Sequence, residues 1–402
     1  MIKKFLTKFP GYSLVGNIFA TATFRQSGIT FSGTFINGAL GALFYILAAR
    51  YLGPASFGIL TVAITTLTLI GDIGDLGTDT GLVRFVGKYR KKNEKKADKF
   101  LKLGLEIKLV VSLVILVLGF LLSSFLANTV FSKPELTLPL KLASVGVLTY
   151  LLFSYITHVL QGFEKFWHWS GIQVLTNLTR LVLVCFVIYF AFLSVENTLI
   201  IYILMPLLGF IVGYLFLPEG FLRVKNEVSV AREFFHYNKW VAAFTLVAAV
   251  SSRLDTFISA RLLSATQLGL YSAANQLVQI VPQLVGAIGT VIAPKVAGMD
   301  SLEKLVEYLK KAQLMVIGIM LLGIISIPVM LFLIPILFGK AYVSSGALFV
   351  ILLFAMLVFL ISVPVHMAVF YYFSYPKLFF WLSLLHLGII SGLGWNLISI
   401  YG

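Results

Sequence analysis

Two arginines stand inside otherwise uncharged, apolar stretches, where a guanidinium has few chemical uses. Arg180 follows Gln173 and Asn177 at helical spacing, which makes one polar stripe on a greasy helix. Its planar fork of donors suits a pyrophosphate, and it would equally suit a buried aspartate. Arg253 and Asp255 lie two residues apart, about 200° around a helix, so each needs a partner on another span. Arg253 sits nearer the membrane midplane and is the stronger candidate for a central cavity. Asp72, Asp75 and Asp79 are spaced i, i+3, i+7 along one helical face. Asp72, Asp75 and Asp255 are candidates for ion coupling or for pairing between bundles, whereas Asp79 lies close enough to an interface for water to satisfy it. Asn275, Gln276, Gln279 and Gln283 form a further stripe, suited to saccharide hydroxyls or to hydrogen bonds between helices. No covalent catalysis is expected of these sets. His366 and His386 are isolated, no carboxylate stands at ligand spacing, and neither metal nor cofactor is implied.

The elements that must position these residues are membrane-spanning helices. Of 402 residues, 59% are hydrophobic and 12% charged, about half the usual charged share of a soluble domain. Residues 26–49, 109–132, 142–163, 197–218, 262–294, 312–339, 341–376 and 378–402 carry no charged side chain. Each run is long enough to cross roughly 30 Å of hydrocarbon at 1.5 Å per residue. Continuous apolarity without alternation excludes a β-barrel. The expected architecture is therefore all-α and polytopic. About eleven spans are predicted, at 28–50, 57–82, 103–128, 138–161, 168–193, 197–217, 238–261, 268–293, 311–338, 344–371 and 377–400. Residues 1–27 read as an amphipathic lead-in rather than a cleaved signal peptide.

Placing the N-terminus inside puts 24 of the 31 Lys and Arg in inner segments and five outside, with Arg180 and Arg253 in the membrane. The net charge of +15 then reflects loops that face an anionic inner leaflet, not a nucleic-acid surface. The lone Cys185 cannot form a disulfide within the chain.

The chain also repeats itself at an offset of 211. Ala49-Arg50-Tyr51-Leu52 with Gly58 returns as Ala260-Arg261-Leu262-Leu263 with Gly269, and Ala63 pairs with Ala274. The offset superposes the first helix hairpin on the seventh and eighth spans in the same direction. Two parallel bundles are predicted, over 28–218 and 238–402, joined by an inner linker over 219–237. A substrate path between such halves is a transporter arrangement.

The residues at these positions also resemble a known family. Ala49-Arg50-Tyr51-Leu52-Gly53-Pro54-Ala55-Ser56-Phe57-Gly58 is similar to the turn after the first helix of polysaccharide flippases, and Asp75-Leu76-Gly77 with Arg84 to the end of their second. Asp255, Gly269-Leu270-Tyr271-Ser272-Ala273-Ala274 and Ala293-Pro294 match the run in their seventh and eighth helices. The family is the Wzx-type O-antigen and polysaccharide exporters of the multidrug/oligosaccharidyl-lipid/polysaccharide superfamily, whose members have twelve spans. The resemblance implies a flippase that moves a polyprenyl-pyrophosphate-linked oligosaccharide by alternating access, in a prokaryotic inner membrane. Arg180, Arg253 and the amide stripe would line its path. A lipid II flippase and a multidrug cation exporter share the superfamily. A membrane glycosyltransferase or polymerase is the rival of another class, but the short outer loops offer it few acids.

Overall fold

The computed structural model describes residues 22–373, 375 and 377–401, so the lead-in lies mostly outside the described residues. The first helix, α1 (Ala22–Gly74), holds two crossings. They part at Gly53, whose φ of 76° and ψ of 168° suit glycine alone, and Pro54 after it has no N–H to carry the ladder on. α1 stops at Gly74, and the chain turns through Leu76 and Gly77 at positive φ into α2 (Thr78–Tyr89). This corrects the expectation of one unbroken span over 57–82. The Asp75 carboxylate takes the backbone N–H of Asp79 at 3.0 Å, which starts the new helix.

α3 (Glu94–Phe125) begins where the Asn93 side chain caps the N–H of Lys96. It presents Val110, Leu113, Val114, Val117, Leu118 and Leu121 outward, an apolar face suited to hydrocarbon. α4 (Thr137–Gly162), α5 (Phe166–Tyr189) and α6 (Val195–Tyr214) follow.

The second half contains α7 (Val228–Ser251), α8 (Leu254–Leu262), α9 (Ala265–Val278) and α10 (Ile280–Ala297). The spans expected over 238–261 and 268–293 are thus each broken, at Ser252-Arg253 and at Gln279. Pro282 cannot donate to the Val278 carbonyl, which accounts for the second break. α11 (Leu302–Ile325), α12 (Ile327–Leu337), α13 (Ser345–Met367), α14 (Lys377–Ile389) and α15 (Trp395–Tyr401) complete the chain. Among the described residues, nine helices are long and apolar enough to cross a membrane. One of them holds both crossings on either side of Gly53, and the α9–α10 pair is not among the nine.

The halves meet where α1 crosses α9, and the contact is an exchange. A Cβ on Gly58 would stand 2.4 Å from the Ala265 carbonyl oxygen, and one on Gly269 would stand 1.8 Å from that of Pro54. Adding 211 to 54 and 58 gives 265 and 269, so the two contacts are images of one another. A two-fold axis produces that pattern. Small residues let the two backbones approach this closely, and dispersion between them replaces hydrophobic drive in lipid. Phe44, Phe57 and Leu60 of the first half share one core with Ala273, Val278 and Tyr342 of the second.

The same exchange fastens the end of the bundle that carries Arg50. Arg50 donates to the Ile336 carbonyl and its counterpart Arg261 to that of Thr129, at 2.9 Å. Tyr342 Oη donates to the Ala49 carbonyl at 2.9 Å, and Lys133 Nζ to that of Ala260 at 2.6 Å. Ala49 and Ala260 are themselves 211 apart. The Lys133 ammonium is largely enclosed, and burial lowers its pKa below the ordinary lysine value.

At the opposite end, the connecting segment packs on the first half. Phe221, Val230 and Phe234 join a core with Leu82, Phe85, Phe100 and Tyr155, and the Phe234 ring lies 5.8 Å from those of both Phe85 and Phe100. Lys99 pairs with Glu227, and Lys96 with Glu233 at 2.9 Å. Lys99 and Ser229 hold the exposed Glu227 carboxyl below its usual range.

Candidate functional site

Arg253 sits in the gap between α7 and α8, with φ −129° and ψ 0°, outside helical geometry. Its Nη2 meets Asp72 Oδ2 at 2.7 Å, and the other Asp72 oxygen accepts from Tyr150 Oη at 2.5 Å. α1, α4 and the α7–α8 gap therefore converge on one carboxylate. The pair joins the two halves, and about a quarter of each side chain is open: 24% for Arg253 and 26% for Asp72. Protein packing does not enclose it.

Arg180 lies in a different environment. Residue 180 is 9% exposed. Its guanidinium stands 4.2 Å from the Tyr202 ring centroid and 5.6 Å from that of Phe44, within cation–π range of both. Nη1 donates to Asn177 Oδ1 at 2.7 Å, and the Asn177 amide donates in turn to Asn37 on α1. Nε has no hydrogen-bond partner among the described residues. Among the described residues, no carboxylate comes within ion-pair range of Arg180, so its positive charge is left without an acid. A buried donor left open in this way costs about 1–3 kcal/mol, and an arriving anion would recover it.

The three aspartates do not share a continuous face, because the turn at Gly77 separates them. Asp75 and Asp79 both close on Lys108, at 2.7 and 2.8 Å, and Lys108 has no exposed side-chain area. Asp75 also accepts from Thr78 Oγ1 at 2.6 Å. Asp79 accepts from Ser154 and stands 3.3 Å from His158 Nδ1. The expectation that Asp79 is simply hydrated is thus corrected: Asp75 and the part-buried Asp79 flank one buried ammonium. Asp75 consequently pairs within its own half and not between bundles. Asp255, in the first turn of α8, is likewise held inside its half by the Tyr271 hydroxyl. Only Asp72 of the three reaches across.

The amide stripe is interrupted by the break at Gln279. Asn275 and Gln276 lie half-buried on α9, while Gln279 and Gln283 are exposed beyond it. Gln283 still faces the first half, since a Cβ on Gly38 would stand 3.2 Å from its Oε1. Gly38 adjoins Asn37, so a polar thread runs from Arg180 through Asn177 and Asn37 toward Gln283.

Lys108, Tyr150, Asn37 and Tyr202 were not visible as site residues in the sequence. A signal existed for Lys108 alone. The cap at Asn93 starts a helix 15 residues earlier, which at 1.5 Å each sets Lys108 about 22 Å along it.

The match to known proteins agrees with this architecture. A family model described as polysaccharide biosynthesis protein matches residues 24–299, more than half of the chain. The chain belongs to the polysaccharide biosynthesis protein family. A relative named "Putative O-antigen transporter", from Shigella flexneri, is 21% identical over 301 residues, covering 70% of this chain and 67% of its own. Among solved structures, an inward-facing multidrug resistance MATE family transporter of the MOP superfamily aligns with a TM-score of 0.66 and 14% identity. That alignment covers 83% of this family member and 80% of the transporter. The lipid II flippase MurJ, in an inward closed conformation, aligns with a TM-score of 0.63 and 17% identity, over 85% and 75% of the two chains. At these identities the structural matches establish the fold. The curated relative and these structural neighbours are named as transporters and a flippase.

Proposed function

We infer that this protein is a flippase that moves a polyprenyl-pyrophosphate-linked oligosaccharide from the inner to the outer leaflet of a prokaryotic cytoplasmic membrane. The N-terminus is then inside, and the Arg50 end of the bundle faces out. The observation that carries this reading is Arg180, a buried guanidinium without an acid, joined to Asn177 and Asn37. Such a group is matched to a multiply charged, oxygen-rich anion, and the amides beside it are matched to sugar hydroxyls. An organic cation would meet two guanidinium groups instead, which speaks against a drug exporter.

In this reading the headgroup occupies the space near Arg180, Arg253, Asn275, Gln276, Gln279 and Gln283, while the polyprenyl chain stays in lipid. The fastened Arg50 end makes this an outward-closed state, which opens by rocking of the halves. Phe221, Val230 and Phe234 belong to the first half's core, so the first turns of α7 stay with that half and the Ser252-Arg253 break is available as a hinge.

Reconstitution into liposomes with a fluorescent polyprenyl-pyrophosphate saccharide tests the proposal. Wild-type protein exposes the label in the outer leaflet, and Arg180→Gln slows that exposure at least tenfold. Transport of organic cations but of no lipid-linked sugar would overturn it.

A further inference from the structure

The geometry points to Asp72 as an internal substitute for the cargo's anion: a pyrophosphate competes with Asp72 for Arg253, and the exchange unties the two halves. This inference rests on the flippase reading above and adds the device that couples loading to movement.

Three observations carry it. First, Arg253–Asp72 is, among the described residues, the one ion pair that joins α1–α6 to the chain beyond Ser251. The other cytoplasmic-end pairs tie 227 and 233 to α2 and α3, inside the first half's packing. Second, the pair is not enclosed by protein. A quarter of each side chain is open, whereas Lys108, one helix away with its own two aspartates, is sealed. Third, the exchange leaves Arg253 compensated and Asp72 with a hydrogen-bond donor. Removing one partner of a buried pair is costly because the other stays charged and unpaired. Replacing the carboxylate by a phosphate leaves Arg253 compensated, with the same fork geometry and more charge opposite it. The freed Asp72 keeps its 2.5 Å hydrogen bond from Tyr150, which belongs to its own half.

The consequence runs along α8. This nine-residue helix is fastened to the first half at both ends, by Arg253 at its start and by Arg261 and the Ala260 carbonyl near its finish. It is about 13 Å long at 1.5 Å per residue, so it can act as a rigid strut. Freeing one end removes the restraint that keeps the other in register with Thr129 and Lys133. Anion capture at Arg253 thereby loosens the Arg50 end of the bundle.

The test uses the full chain in nanodiscs, with Cys185→Ser and spin labels at Leu138→Cys and Val343→Cys, two exposed positions in opposite halves near the Arg50 end. The probes are farnesyl pyrophosphate, inorganic pyrophosphate and farnesol. Farnesyl pyrophosphate is expected to shift the 138–343 distance distribution toward longer values, and farnesol to leave it unchanged. A response to inorganic pyrophosphate as well assigns recognition to the anion, and a response to the farnesyl form alone shows that the prenyl chain is needed to deliver it; both fit the exchange. Asp72→Asn is expected to show the longer population without ligand and to bind farnesyl pyrophosphate about tenfold more tightly, since its competitor is gone. The double variant Asp72→Arg/Arg253→Asp rebuilds the tie with charges reversed. It should return to the short distance without ligand, which also shows that the variants fold. If Asp72→Asn stays closed and binds as wild type does, the exchange is wrong. If pyrophosphates bind and are transported while wild-type distances never change, the exchange fails and the flippase reading stands. If no pyrophosphate binds wild type or Asp72→Asn, the flippase reading itself falls.

Discussion

Asp72 and Asp75 stand three residues apart on one strip of chain, yet each belongs to a different kind of structure. Asp75 shares the enclosed Lys108 with Asp79, all within the first half. Asp72 reaches Arg253 in the second half, where about a quarter of each side chain lies outside the protein's packing. A sealed pair inside one rigid body can only hold that body together. A reachable pair between two bodies can be made and broken as they move. Enclosure and the identity of the partner, not the charge itself, separate scaffold from mechanism.

That contrast can be broken in order of expected effect. Lys108→Met leaves two carboxylates facing each other without a cation and should destabilise the protein by about 3–5 kcal/mol, seen as a lower unfolding temperature in detergent. Adding Asp75→Asn and Asp79→Asn to that variant removes the stranded charges and should restore most of the loss. If the single variant unfolds as wild type does, the cluster is not the scaffold described here. Arg253→Gln should do the reverse, changing stability by only about 1 kcal/mol while slowing lipid-linked sugar transport at least tenfold. Equal losses of stability in Arg253→Gln and Lys108→Met would erase the distinction. Tyr150→Phe keeps the Arg253 pair and removes one hydrogen bond from Asp72, so a stability loss of about 1 kcal/mol and a mild slowing of transport are expected. The smallest effect concerns the exposed Glu227–Lys99 pair. Its carboxyl lies below the usual glutamate range, so its contribution is complete above about pH 4.3 and fades only as pH falls through the lowered value. Protection factors for hydrogen exchange over 224–230, corrected for the intrinsic pH dependence of exchange, should therefore be unchanged between neutral and mildly acid pH, and Glu227→Gln should lower them only slightly.

The membrane class and the parallel halves were legible because both are written in long uniform signals. Uncharged runs of twenty or more residues survive an error of several positions, and the 211 offset recurs at Ala49, Arg50, Gly58 and Ala63. Arg180, Arg253 and Asp72 stood out individually, since a charge in hydrocarbon is costly wherever it sits. Their partners were not legible. Asp72 and Arg253 are far apart in sequence and come together only where α7 packs beside the end of α1 and the start of α2. Lys108 was hidden because it borders an uncharged run and so reads as the end of a loop. The breaks at Gly77 and Gln279 carried local signals in glycine and in Pro282, but those signals permit a kink as readily as a stop. The amide stripe assumed an unbroken helix, and the break at Gln279 divides it.

The fastening around Ala49 and Ala260 uses main-chain oxygens as acceptors, met by a phenol on one side and an ammonium on the other. A peptide oxygen cannot be substituted away, so mutation can reach only the donor. Two halves descended from one ancestral unit could therefore drift apart in amino-acid identity and still close alike, which is why kinship so faint in letters is so plain in shape.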